Sequence, residues 1–131
     1  MDLELTRAEY PIFSYDKHGK KVDAKIPFSS ETKFNLFIRD LNKQNHNPTS
    51  ADDNLVVVMK GAPERIINRC SKILVNGKEV DFTADHEREV NLANSSLGKL
   101  GERVLALAIC KLDPTIFTKD PAYPFDTETW K

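Results

Sequence analysis

Only two cysteines, one tryptophan and five glycines occur among the 131 residues. No apolar run approaches the ~20 residues that a membrane-crossing helix needs. Each scarcity excludes something. Cys70 and Cys110 have no CxxC or Cys/His spacing around them, which argues against a zinc site and favours reduced, partly buried thiols over a disulfide. The longest apolar stretches, residues 55–59 and 104–110, are much too short to span a bilayer. The start Met1-Asp2-Leu3-Glu4 lacks the basic and hydrophobic regions of a signal peptide, so a soluble intracellular chain is expected. Charge of one sign is also missing: 19 Lys and Arg face 20 Asp and Glu, a net charge of -1. There is no global positive field to hold nucleic acid or an anionic membrane, so an anionic ligand would need a local site. Internal repeats and low-complexity segments are absent as well.

What is present is ordinary globular material, 40% hydrophobic and 30% charged, enough to fold as one domain with a real core. Residues 1–21 carry a polar, helix-like start and a turn-rich piece punctuated by Pro11, Asp16 and Gly19. Residues 24–28 and 33–39 read as strands. In the second of these Phe34, Leu36 and Ile38 share one face, and Lys33, Asn35, Phe37 and Arg39 the other. The short polar turn 28–32 pairs the two as a hairpin. Residues 42–53 are polar, contain Pro48 and lack periodicity, and are expected to form a mobile surface loop. The β-branched run 54–59 predicts a central strand buried on both faces and ended by Gly61. Pro63 and Glu64 then suit the first turn of a helix over 63–70 with Ile66, Ile67 and Cys70 on its apolar side. Asn76-Gly77 marks a two-residue hairpin between 72–75 and 78–82. Thr83 or Asp85 can cap a helix reaching Leu97 or beyond. Residues 104–112 read as another internal strand, and Pro114, Pro121 and Pro124 make the end an extended tail.

Three separated segments carry the residues that chemistry would use. In Ile26-Pro27-Phe28-Ser29-Ser30-Glu31-Thr32-Lys33, a hairpin brings an aromatic ring near a lysine, a stacking surface beside a cation. A core phenylalanine and a solvated edge lysine are the plainer alternative. In Met59-Lys60-Gly61-Ala62-Pro63-Glu64-Arg65, a buried strand delivers Lys60 to a turn whose small residues admit a ligand to the backbone, just before a helix N-terminus. No Gly-x4-Gly-Lys-Ser/Thr loop is present, and an ordinary strand-to-helix turn with a solvated lysine fits the spacing as well. In Leu100-Gly101-Glu102-Arg103-Val104-Leu105, Arg103 stands at the mouth of a strand, where its guanidinium suits a phosphate oxygen or a pairing with Glu102 or Glu64.

Taken in order, these segments resemble the nucleotide-binding domain of P-type cation-transporting ATPases, most closely the sodium/potassium and proton/potassium pump branch. The likeness runs from about residue 24 to residue 107 and is most specific in MKGAPERI followed by LGERVLALA. It implies an α/β (α+β) fold, a twisted, mainly antiparallel sheet flanked by helices. It also implies a domain that binds ATP or ADP and presents the γ-phosphate to an aspartate on a separate phosphorylation domain. Carried over by motif position, Phe28 resembles the ring that stacks on adenine and Lys33 the lysine near the nucleotide. Lys60 and Gly61 resemble the pair at the base of the pocket, with Ala62 beside them. Arg103 resembles the arginine on the phosphate side, and Asn35 holds a position whose polar side chain faces the pocket.

The departures from that family bear on activity. No Asp-Lys-Thr-Gly-Thr segment supplies an acceptor aspartate, and the Thr-Gly-Glu motif, the Asp-rich magnesium segments and the membrane helices are missing. The expectation is therefore a single truncated nucleotide-binding domain over 1–131, with extended or poorly ordered ends at 1–21 and 113–131. It has no catalytic residue of its own and does not bind the Mg²⁺ that a parent pump uses. Its partners are ATP or ADP and the phosphorylation and actuator domains of the same parent chain, on the cytoplasmic side of a membrane. It should be monomeric, bind no nucleic acid and make no membrane contact itself. With base stacking and a few charge-assisted contacts, affinity should fall in the high micromolar to millimolar range, about 4–6 kcal/mol. Two other readings stand beside it: a small α/β interaction or scaffold domain that binds no nucleotide, and a free-standing nucleotide hydrolase. The latter is disfavoured because the acids are scattered rather than clustered.

Overall fold

The computed structural model describes residues 14–15, 21–22, 24–41 and 55–113. In chain order the elements are β1 (Ser14–Tyr15), β2 (Lys21–Val22), β3 (Lys25–Ile26), β4 (Phe34–Asp40) and β5 (Leu55–Gly61), followed by the helix α1 (Pro63–Ile66) and a 3₁₀ turn (Ile67–Arg69). After these come β6 (Lys72–Val75), β7 (Lys78–Asp81), the helix α2 (Ala84–Lys99) and β8 (Ala106–Lys111). Strands β3-β4-β5-β8 make one sheet in that order, and β1-β2 and β6-β7 make two-stranded ladders. The pairing is antiparallel in β1-β2, β3-β4 and β6-β7. This is the expected α/β class with mainly antiparallel sheets and few helices.

The described residues fall into two compact units, and β4, β5 and β8 each contribute residues to both. In the first unit, β3 and β4 pair with Lys25 opposite Phe37 and Ile26 opposite Leu36. Ala24, Ile38, Leu55 and Leu112 cluster as a buried core with Val57 packed against them. The backbone bond from Leu112 N–H to the Leu55 carbonyl, 2.9 Å, joins the start of β5 to the end of β8. The second unit comprises Phe28–Asn35 and Met59–Ala108. Its buried side chains include Phe34, Met59, Ile66 and Ile67.

Local chemistry explains most of these elements. Phe34, Leu36 and Ile38 are all buried, while Asn35, Phe37 and Arg39 on the other face are half-buried, as a period-two strand requires. Asn76 and Gly77 both have positive φ, 50° and 78°, the geometry of a type I′ turn. Thr83 caps α2: its hydroxyl accepts the His86 N–H while the His86 ring accepts the Thr83 N–H, satisfying two otherwise orphaned donors.

Several expectations need correction. The helix expected over 63–70 is α-helical only to Ile66 and tightens into the 3₁₀ turn, with Ile66 and Ile67 buried and Cys70 half-buried. Gly61 is the last residue of β5, as expected, and the strand runs on past Met59 through Lys60 to reach it. The strand expected over 24–28 ends at Ile26, so Phe28 stands outside it, 62% exposed. Instead of an internal strand, β8 is the terminal strand of the sheet order among the described residues, with Leu107 and Ile109 at 73% and 68% exposure. An apolar run reports what a strand is made of, but not whether another strand lies beyond it. Cys110, on that strand, is accordingly exposed, and only Cys70 is partly buried. Burial pushes the pKa of the Cys70 thiol upward, and its S–H donates to the Ile66 carbonyl at 3.3 Å. The expectations for the 42–53 loop and the proline-bearing end beyond Asp113 lie outside the described residues, as does most of 1–21.

Candidate functional site

The candidate residues all belong to the second unit, and a small hydrogen-bonded frame brings most of them together. Lys33 N–H donates to the Ser29 carbonyl and Lys33 C=O accepts from Ala62 N–H, both at 2.9 Å. The turn that carries Phe28 and Lys33 is thereby bonded to the segment that carries Lys60, Gly61 and Ala62. Lys33 has φ = 59°, in the left-handed region that costs a side-chain-bearing residue about 1–2 kcal/mol. A hydroxyl cluster supports it. Thr32 N–H donates to Ser29 Oγ at 3.0 Å, the two hydroxyls lie 2.8 Å apart, and Thr32 Oγ1 donates to the Phe34 carbonyl at 3.3 Å.

Gly61 is where the frame closes. A Cβ built there would lie 2.6 Å from both Cα and Cβ of Phe34 and closer still to the Lys33 carbonyl oxygen. The space beside Gly61 is thus filled by the neighbouring turn, and the glycine serves the approach of two backbones. Phe34 is held from the other direction by Arg69, whose guanidinium sits 5.2 Å from the ring centroid and also donates to the Arg65 carbonyl at 2.7 Å. This places the Phe34–Gly61 contact in a packed setting.

The polar groups on this frame are open. Phe28, Lys33 and Lys60 are exposed, Ala62 and Asn35 half-buried and Gly61 buried. Ala62 takes the N-cap position of α1, its carbonyl accepting from the Arg65 and Ile66 amides. Asn35 Oδ1 is buried without a hydrogen-bond partner among the described residues, an acceptor left with nothing to accept. Lys33 and Lys60 form no ion pair among the described residues. Arg103 is exposed in the coil leading into β8 and likewise pairs with neither Glu102 nor Glu64. It belongs to the same unit, but no hydrogen bond among the described residues ties it to the frame. Such an arrangement can stack a flat ring on Phe28, accept a ligand's hydrogen bond at Asn35 Oδ1 and neutralise an anion with cations that make no ion pair among the described residues. The polar side chains of the candidate residues are lysines, an arginine and an amide, with no carboxylate of the kind that holds Mg²⁺, and among the described residues no three His, Cys, Asp or Glu side chains gather where they could hold a metal ion.

The Ser29–Thr32 hydroxyl pair and the left-handed backbone at Lys33 escape the sequence reading. The spacing of two hydroxyl residues three apart is a signal for the former. No sequence signal marks lysine for the latter.

A family model described as P-type ATPase, cytoplasmic domain N, matches residues 6–130. The chain is 44% identical over 103 residues to the sodium/potassium-transporting ATPase subunit alpha-B of Artemia franciscana, covering 79% of this chain and 9% of that protein. It is 41% identical over 113 residues to the sodium/potassium-transporting ATPase subunit alpha of Tetronarce californica, 86% of this chain and 10% of that protein. The potassium-transporting ATPase alpha chain 2 of Cavia porcellus is 37% identical over 113 residues, again 86% and 10%. The chain spans about a tenth of the length of these relatives.

Proposed function

Because this chain belongs to the family of P-type ATPase cytoplasmic N domains, we propose that its frame of residues 28–35 and 60–62 binds an adenine nucleotide for a cation pump. Phe28 stacks on the base, and Asn35 Oδ1 accepts a hydrogen bond from a donor on the base edge. Lys33 and Lys60 lie along the nucleotide, and Arg103 meets the phosphate side. Gly61 and Ala62 enter as the residues that let the frame close and hold its hydrogen bond. Within a longer polypeptide the domain presents the γ-phosphate of ATP to an aspartate on a separate phosphorylation domain, and the actuator domain of the same chain is its other partner. The ATP hydrolysis that drives ion transport takes place in that assembly. Mg²⁺ travels with the nucleotide and the phosphorylation domain there, and binding here runs through side chains alone.

The observation that carries this reading is an exposed aromatic ring on the same hydrogen-bonded frame as an acceptor and two lysines that, among the described residues, have no partner for the acceptor and no ion pair for the lysines. Base stacking is worth about 1–3 kcal/mol, so Phe28→Ala should weaken ATP and ADP alike by about 5- to 150-fold. The fold should stay intact, because the ring is exposed. Nucleotide titrations of the variant and the unsubstituted chain check this; unchanged affinity in the variant would remove Phe28 from the site.

A further inference from the structure

We propose that Ser29 and Thr32 are positioning residues of the nucleotide site. Their linked hydroxyls lock residues 29–33 into one closed turn and so hold Lys33 in the conformation from which it meets the nucleotide. This rests on the reading of the frame as a nucleotide site and assigns to it two residues that touch no ligand.

The turn is a single helical turn that never becomes a helix. Ser29 acts as its N-cap, with Oγ accepting the Thr32 N–H at 3.0 Å and the carbonyl accepting the Lys33 N–H at 2.9 Å. At its other end Lys33 has φ = 59°, the left-handed place where a helix end ordinarily puts glycine or asparagine. A lysine there needs its surroundings to hold it. The hydroxyls provide this as a complete relay. Ser29 Oγ accepts a hydrogen bond from the Thr32 amide, and because Thr32 Oγ1 donates to the Phe34 carbonyl at 3.3 Å, the 2.8 Å bond between the hydroxyls has Ser29 Oγ as donor and Thr32 Oγ1 as acceptor. The relay therefore begins before Lys33 and ends after it, spanning the strained residue. Beyond it, the Lys33 carbonyl takes the Ala62 N–H, so a relaxed Lys33 would also lose the bond that holds Lys60 and Gly61 in place.

The test uses the 131-residue chain with ATP titrations and amide hydrogen exchange followed by NMR. Thr32→Val keeps the side-chain shape and removes the relay. It should weaken ATP about three- to tenfold and speed exchange of the Lys33 amide by a similar factor. Thr32→Ser keeps the hydroxyl and should restore both. A residue acting through Lys33 loses its effect when that lysine is gone, so in a Lys33→Met background Thr32→Val should change ATP affinity less than about twofold. Wild-type affinity in Thr32→Val, or the full loss persisting beside Lys33→Met, would overturn the assignment. If the unsubstituted chain itself shows no ATP-dependent shifts, the nucleotide reading fails and takes the functional half of the assignment with it. Exchange at the Lys33 amide then still decides the turn, and a rate unmoved by Thr32→Val would overturn that half too.

Discussion

Replacing Gly61 with alanine adds a single methyl group at the point where β5 meets the turn before β4. The new Cβ would sit 2.6 Å from two atoms of Phe34 and closer still to the Lys33 carbonyl oxygen, and ordinary contact begins at 3.4 Å, so the backbones must part by at least about 0.8 Å. Phe34 has nowhere to retreat: it is 3% exposed and has Arg69 over its ring. Parting the backbones also stretches the 2.9 Å bond from Ala62 to Lys33 beyond useful geometry. Overpacking of this kind costs about 1–3 kcal/mol and a lost hydrogen bond about 1 kcal/mol. The smaller backbone entropy of alanine in the unfolded chain returns about 0.5–1 kcal/mol. The net loss is about 1–3.5 kcal/mol, which for a chain of this size lowers Tm by about 3–17 °C. Thermal unfolding followed by circular dichroism reads this directly. A variant melting within about 2 °C of the unsubstituted protein would refute the claim that this glycine exists for backbone approach.

Further outcomes follow from the same structure. Arg103→Ala should weaken ATP more than adenosine, because the guanidinium is exposed and unpaired among the described residues and its proposed partner is phosphate; isothermal titration showing equal losses for both ligands would place it elsewhere. Lys72 donates to Asp81 at 2.6 Å across the β6-β7 hairpin, and this bond, followed by charge attraction, lowers the Asp81 carboxyl and raises the Lys72 ammonium. A depressed carboxyl stabilises the fold above its unfolded value, about 3.9, and that contribution is lost as pH falls through the folded value. The raised ammonium contributes below about 10.4 and loses its share as pH rises through its folded value. Asp81→Asn should therefore lose less urea resistance between pH 6 and pH 3 than the unsubstituted protein, and an equal loss in both would contradict the assignment. At the other end of the hairpin turn, Gly77→Ala places a side chain at φ = 78° and should cost about 1 kcal/mol, measured as a lower urea midpoint.

What the sequence made legible was local. The alternation of Phe34, Leu36 and Ile38, the Asn76-Gly77 turn and the Thr83 cap each depend on neighbours a few residues away, and each appears as read. The illegible features depend on partners distant in sequence. The close approach at Gly61 is set by Phe34, 27 positions earlier, so the sequence showed the strand end that Gly61 is but not the neighbouring backbone that fills the space beside it. Leu107, Ile109 and Cys110 looked internal because apolar composition carries no record of strand order. In the site, motif order pointed to Phe28, Lys33, Lys60 and Arg103, and the structure places all four at the surface. The left-handed backbone at Lys33 had no sequence mark because its causes are a hydroxyl relay and a bond from Ala62, neither visible in residue identity alone.

The central claim is tested most directly by titrating the isotopically labelled chain with ATP, with and without Mg²⁺, and following the amide shifts. The account predicts shifts confined to the neighbourhood of residues 28–35, 60–62 and Arg103, nearly the same with and without the ion, because no metal-binding set gathers among the described residues. An absence of shifts at millimolar ATP would contradict it and leave a domain that serves only to contact other proteins.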